Sequence, residues 1–207
     1  MRNRETEVKI RIADVRTVKE QLRKLGLPLL HRRSLEDNVL YDTPDRALRR
    51  IRSILRLRHY RSHWWLTYKG TPFPDPHYKS RLELEIEIQQ PRVTASLLQA
   101  LGFQPVFRYQ KYRSQYGNIN PRRRESRRRD RREMIEVSLD ETPIGNFVEL
   151  EGPPPVIDRV ARWLGYTRAN YLTASYGALY LEECREKNIP PGDMVFNSPR
   201  SRKTGKL

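Results

Sequence analysis

The chain has 207 residues and carries 41 Lys and Arg against 25 Asp and Glu, a formal net charge of +16. Only 37% of residues are hydrophobic, and no apolar run approaches the about 20 residues of a membrane-spanning helix. The opening MRNRETEVKI lacks an apolar secretory h-region, and a single cysteine, Cys184, supports neither a disulfide framework nor a cysteine-rich zinc site, so a cytoplasmic protein with polyanionic partners is expected.

In chain order, residues 4–12 alternate charged and apolar side chains, the signature of a half-buried strand. Residues 14–25 place Val15, Val18, Leu22 and Leu25 at helical spacing, and Gly26 supplies the stop. Alternation resumes at 35–43 and ends on the turn Asp42-Thr43-Pro44. Strands are predicted at 53–61 and 64–70, joined tightly around Ser62-His63, and at 80–89 after a Pro- and Asp-containing loop. Pro91 can open a helix bearing Leu97, Leu98 and Leu101, which Gly102 ends. Strands at about 105–117, 133–140 and 144–151 follow. Pro153-Pro154-Pro155 precedes a helix whose apolar face holds Val156, Val160, Trp163 and Leu164, and a short helix is predicted over 173–184. Eight strands and about four helices give an α+β chain rich in antiparallel hairpins.

The polar faces of these strands are unusual. Side chains alternate across a strand, and the alternation groups Glu5, Glu7, Lys9 and Arg11, then Arg56 and Arg58, then Arg81, Glu83, Glu85 and Glu87. Lys69 shares a face with Trp65 and Thr67, Lys111 and Arg113 with Tyr109, Glu136 with Ser138 and Asp140, and Glu149 with Glu151. An ordinary antiparallel sheet with its ionic face in water produces this pattern too. Solvent faces, however, usually mix in Ser, Thr and Gln, whereas these are dense in Glu and Arg. Amphipathic helices packed outside would instead leave the charged faces lining a closed barrel. Such an interior is expensive unless a ligand and metal neutralise it. A triphosphate carries about four negative charges and needs several converging Lys and Arg. Glu pairs at i and i+2 lie about 6.6 Å apart, close enough to share hydrated Mg2+ or Mn2+.

These residues resemble the CYTH superfamily, the triphosphate tunnel metalloenzymes. The E-x-E-x-K signature reads Glu5-Thr6-Glu7-Val8-Lys9, and its companions follow in the family's order: NVLYDTPDRAL (38–48), LRLR (55–58), LTYKG (66–70), SRLELEIEI (80–88), KYRSQY (111–116), VSLDETPIGNFVELEG (137–152) and TASYGALY (173–180). The resemblance implies an eight-stranded antiparallel β-barrel forming a charged tunnel, covered by amphipathic helices, with a divalent metal (Mg2+ or Mn2+) and a triphosphate inside. Glu5, Glu7, Glu149 and Glu151 would face metal with Asp140 in support, and Glu83 and Glu85 are further candidates. Lys9, Arg56, Arg58, Lys69 and Arg113 would hold phosphate oxygens. Lys111 matches the lysine that hydrolytic relatives use to activate water, with one more phosphate clamp as the near alternative.

The family contains class IV adenylate cyclases, which convert ATP to cyclic AMP and pyrophosphate, and hydrolases of thiamine triphosphate or inorganic tripolyphosphate. This chain has Ile54 where thiamine triphosphatases have an aromatic residue. It has Tyr171, Ser175 and Tyr176 where hydrolytic members often place a basic residue. Both departures point toward the cyclase-type branch. The expected organisation is a tunnel domain over 1–187, with an Arg-rich loop at 121–132 and a basic, disordered tail over 188–207. Residues 122–132 hold eight arginines and two acids, which makes them either a solvated loop or a salt-sensitive contact with RNA or another polyanion. A non-catalytic polyphosphate- or RNA-binding module is the competing class, but a pure polyanion binder gains nothing from inward carboxylates.

Overall fold

A computed structural model describes residues 4–117 and 134–196. Its frame is a closed, wholly antiparallel barrel of eight strands in the order β1-β5-β4-β3-β2-β6-β7-β8. The strands are β1 (Arg4–Ile12), β2 (Leu29–Asp42), β3 (Ile54–Tyr60), β4 (His63–Lys69), β5 (Lys79–Ile88), β6 (Gln104–Gly117), β7 (Glu136–Thr142) and β8 (Gly145–Glu151). The helices are α1 (Val15–Lys24), α2 (Ala47–Arg50), α3 (Pro91–Ala100), α4 (Pro154–Trp163) and α5 (Tyr176–Glu186), with a 3-10 turn at Arg168–Asn170. The expected eight-stranded tunnel is therefore present. Closure pairs every strand with two neighbours, which limits the open edge to stretches where the pairing is partial.

Alternation decides which way each strand faces. Val8, Ile10, Val137, Leu139, Val148 and Leu150 point outward and are sealed by Val18 and Leu22 of α1 and by Val156, Ile157, Val160 and Ala161 of α4. Each such fully buried aliphatic side chain contributes about 1.5–3 kcal/mol. Asp14 caps α1 by accepting from the Arg16 and Thr17 amides, and Gly26, at φ +70°, turns the chain out of the helix. Gly117 leaves β6 at φ +146°, where a Cβ would stand 2.3 Å from the Ile135 carbonyl oxygen. Only glycine fits that close approach.

Several expectations change. β2 begins at Leu29, six residues earlier than the alternation suggested, because register shifts after Leu29 and His31 interrupt its period of two. The short α2 follows from Asp42, whose carboxylate accepts from the amides of Thr43, Leu48 and Arg49. Trp163 is exposed rather than packed, as are Leu97 and Leu101 of α3, where Leu98 makes the buried contact. The outer face of β5 is also uncovered, with Leu82, Leu84 and Ile86 all exposed, so the helical cover is incomplete there. Among the described residues, no helix is long and apolar enough to cross a membrane.

The segment expected as the start of a free basic tail is part of the fold as far as Phe196. β7 pairs with β6 only over Tyr112–Gly117, so the preceding stretch of β6 has an open edge. Residues 193–196 fill it: Gln110 N donates to Met194 O at 2.8 Å, and Met194 N donates to Arg108 O at 3.0 Å. Met194 is buried against Tyr109, Ile144, Phe147, Tyr176 and Leu179. The Arg-rich loop and the last residues of the tail lie outside the described residues.

Candidate functional site

Inside the barrel lies a cavity of about 760 Å³ walled by the charged strand faces. All the residues expected as ligands line it except Asp140, which is fully buried behind the wall. Among the described residues, nine basic and seven acidic ones line it. Burying an ion costs several kcal/mol unless it is paired and hydrogen-bonded. The barrel meets much of that cost with two groups of ion pairs, one around Lys9, Arg113 and Glu36 and one around Lys69.

Register places the carboxylates in rows. Glu136, Glu151 and Glu7 stand directly opposite one another across β7, β8 and β1, and Lys79 of β5 continues the row. One step along, Glu149 stands opposite Lys9 and Ser138. The Lys9 ammonium bridges Glu7 at 2.9 Å and Glu149 at 2.8 Å. Lys69 donates to both oxygens of Glu5, at 2.9 and 2.7 Å, and pairs with Glu83 at 3.0 Å.

Crowding splits the behaviour of these acids. Burial and the adjacent Glu136 push the Glu151 carboxyl up to about 8. Burial, then Glu7, raises Glu5, and burial raises Glu136. Glu7 goes the other way: burial opposes its charge, but Lys9 and Lys79 outweigh that and hold it well below the usual range. Lys79 is pulled down to about 8 by burial, which its single carboxylate partner does not offset. The excess of acid is local to Glu136 and Glu151, which stand side by side across β7 and β8 while Glu7 and Glu5 are matched by lysines. A divalent cation relieves that excess.

A second cluster lies where β2, β3, β6 and β7 meet. Asp140 accepts from Lys111 Nζ at 3.0 Å, from Arg113 Nε and Nη2 at 2.7 Å each, and from the Tyr176 hydroxyl at 2.7 Å. Both its oxygens are engaged by cation and phenol donors, so it orients the basic residues rather than standing free beside metal. Glu36, fully buried, lies 3.4 Å from Lys111 and 3.8 Å from Arg113, and Lys111, then Arg113, overcome its burial to keep its carboxyl far below the usual range. Arg56 donates to the Tyr109 hydroxyl at 3.3 Å and Arg58 to both Glu85 oxygens at 3.0 Å. Glu83 and Glu85 therefore separate: Glu83 joins Lys69 and Glu5, whereas Glu85 is exposed and binds the arginine wall.

Tyr176, at the start of α5, closes the bottom of the cavity with Ser175. Its ring stands over Lys9 at 5.3 Å and Lys111 at 4.9 Å and meets Phe147 edge-on at 5.4 Å. The tail strap packs behind it through Met194. Trp65, which the alternation places on the face of Lys69, is half-buried on β4 and does not line the cavity.

Sequence reasoning missed Glu36, Lys79 and Arg81 as site residues, and saw Glu136 and Tyr176 without giving them a role there. Lys79 and Arg81 only extend the alternation of Glu83 and Glu85 backward. Glu36 was hidden because Glu36-Asp37-Asn38 puts polar side chains on both faces of β2, so alternation does not single it out.

The fit to a divalent cation rests on chemistry. Carboxylate oxygens are the hard donors that Mg2+ and Mn2+ prefer, and Mg2+ commonly takes only one or two of them together with substrate phosphates. Glu5, Glu7, Glu136 and Glu151 supply such donors. Among the described residues, no three or more His, Cys, Asp or Glu are already arranged as a metal cage.

Comparison with known proteins agrees with this architecture. A family model described as the CYTH domain matches residues 3–163. A Methanocaldococcus jannaschii protein, provisionally named an adenylate cyclase, is 32% identical over 148 residues, 71% of this chain and 75% of the relative. A Pyrococcus horikoshii structure aligns with TM-score 0.67 and 26% identity, covering 86% of this chain and 99% of that one. A Hippeastrum structure aligns at TM-score 0.61 and 19% identity, covering 86% of this chain and 96% of that one, and is described as an adenylyl cyclase candidate with dominant triphosphatase activity.

Proposed function

The chain belongs to the CYTH family, and from that premise we propose that it is a divalent-metal-dependent enzyme that converts ATP to cyclic AMP and pyrophosphate. The observation that carries the metal-triphosphate part is the mixed lining: nine bases alternate with seven acids, and Glu151 retains a proton up to about 8. A plain anion binder would have bases alone. A ligand arriving as a metal–triphosphate complex uses both sets, the phosphates on Lys and Arg and the cation on Glu.

The division of work follows from position. Arg56, Arg58, Lys111 and Arg113 present donors from β3 and β6, with Glu36 and Asp140 holding their orientation. Lys9 and Lys69 contribute from β1 and β4. Glu5, Glu7, Glu136 and Glu151 would hold Mg2+ or Mn2+, which supplies charge neutralisation at the phosphate oxygens. Lys111 serves Asp140 and Glu36 as a donor and is covered by Tyr176, an arrangement that suits a phosphate clamp better than a free base. The choice of cyclisation is supported by the 32% identical relative named as an adenylate cyclase candidate.

Hydrolysis of ATP, thiamine triphosphate or tripolyphosphate is the second reading, supported by the triphosphatase activity ascribed to the Hippeastrum neighbour. The test is ATP labelled at the α-phosphate, incubated with Mg2+ or Mn2+ and resolved by chromatography. Labelled cyclic AMP is the expected product. Labelled ADP without cyclic AMP would assign the protein to the triphosphatases.

A further inference from the structure

In strand order β5-β1-β8-β7-β6, the carboxylates of β1, β8 and β7 are bordered by cations on both sides. On one side Lys111 and Arg113 of β6 face the phosphates, whereas Lys79 and Arg81 of β5 on the other side are left without a role. These two stand directly opposite Glu7 and Glu5 in the β1–β5 register. Both line the cavity and both are buried, with exposures of 7% and 4%.

Their charge exceeds what the local carboxylates absorb. Glu7 Oε1 already accepts from Lys9 at 2.9 Å, and the same oxygen is the partner of Lys79 at 3.3 Å. Glu5 is taken at both oxygens by Lys69. Arg81 Nε is buried with no hydrogen-bond partner among the described residues, and an unpaired buried guanidinium nitrogen is costly. The strand is held here by two contacts at Ser80: the Phe73 amide donates to Ser80 O at 2.8 Å, and Arg4 Nε donates to Ser80 Oγ at 2.6 Å. A rigid strand thus aims two under-paired cations into the lumen. Any cation that engages Glu7 and Glu5 would leave them shorter still of negative charge.

We propose that Lys79 and Arg81 form a subsite for a fourth phosphoryl group, so that the cavity takes linear chains of four phosphates in preference to three. The inference rests on the triphosphate reading and extends it across the carboxylate row to the β5 wall. The recognised chemistry is the extra anionic phosphoryl unit, whether inorganic or attached to a nucleoside.

The experiment is isothermal titration at low temperature, with and without Mg2+, on the full chain. Its inorganic arm compares tripolyphosphate with tetraphosphate, and its nucleotide arm compares ATP with adenosine 5′-tetraphosphate. The four-phosphate ligand should bind about tenfold more tightly, the worth of one charge-assisted contact, in whichever arm carries the natural source. In Lys79→Met and Arg81→Met that ratio should fall to about one, and Lys79→Arg should restore it. A wild-type ratio near one in both arms, or a ratio that survives both Met variants, overturns the subsite while leaving the triphosphate reading intact. Failure of all four ligands to bind overturns both together. The wild-type comparison decides the question even if a variant fails to fold.

Discussion

The Tyr176 hydroxyl donates to Asp140 Oδ2 at 2.7 Å while the same ring covers the Lys111 ammonium at 4.9 Å. Asp140 in turn fixes Lys111 and Arg113, so one phenol on α5 is tied to the orientation of two phosphate-facing cations on β6. Tyr176→Phe keeps the ring and removes the hydrogen bond, worth about 0.5–1.5 kcal/mol. The expected result in steady-state kinetics is a kcat lower by up to about tenfold, with KM for the triphosphate changed less than about twofold. A changed KM with constant kcat would show that Tyr176 contacts the substrate instead.

Glu36 is the fully buried counter-charge of the arginine wall, close to Lys111, Arg113 and Arg58. Glu36→Gln leaves those cations without it, and breaking a buried pair costs about 3–5 kcal/mol. Thermal denaturation should show that loss. Binding of metal-free tripolyphosphate should move the opposite way and tighten, because the wall gains net positive charge. Loss of stability without tighter phosphate binding would show that Glu36 only fills space.

Most of the barrel was legible because its chemistry is written with a period of two. Glu5-x-Glu7-x-Lys9 can bury Val8 and Ile10 on one face only by sending its charges to the other, and Arg81-x-Glu83-x-Glu85 turns its charges inward in the same way although Leu82, Leu84 and Ile86 behind it stay exposed. What escaped was whatever broke that period or depended on distant packing. β2 hides Glu36 among Asp37 and Asn38, which put polar groups on both of its faces, and the place of Tyr176 at the cavity bottom depends on how α5 docks across the barrel end. Asp140 was visible as a residue, but its partners come from β6 and α5, which no local pattern connects. Met194 was hidden in a segment whose composition reads as tail.

The carboxylate row gives the apoprotein a pH-dependent stability. Glu151 titrates near 8 in the folded chain against 4.5 for an unperturbed Glu, and Glu5 and Glu136 are raised in the same direction. Between those values the folded state holds protons that the unfolded state has released, so stability present below the unfolded pKa is lost as pH rises. Differential scanning calorimetry in chelator should show Tm falling between about pH 5 and pH 8. Glu151→Gln should flatten much of that slope. Mg2+ should raise Tm more at pH 8 than at pH 5, because at low pH the cation must displace protons. An equal Mg2+ effect at both pH values would remove Glu151 from the metal-binding set.

The strap formed by residues 193–196 makes its own prediction, because it joins an open sheet edge to the bottom of the cavity. Its backbone pairs with Arg108 and Gln110, Asp193 Oδ1 accepts from the Arg108 amide at 2.8 Å, and Phe196 packs on Tyr112 at 5.0 Å. Met194 is 1% exposed and touches the aromatic group that includes Tyr109 and Tyr176. Truncation after Gly192 therefore removes two backbone hydrogen bonds and one buried side chain while leaving all eight strands of the ring. Met194→Ala alone should cost about 2–5 kcal/mol, and Met194→Leu, which conserves volume, should cost less than about 1.5 kcal/mol. In the truncated chain, hydrogen exchange should accelerate selectively at the Arg108 and Gln110 amides, with β1 and β8 still protected. Turnover should fall through the looser seating of Tyr109 and Tyr176, and Met194→Leu should keep it. Unchanged exchange at Gln110 after truncation would show that the strap is not paired to β6 in solution.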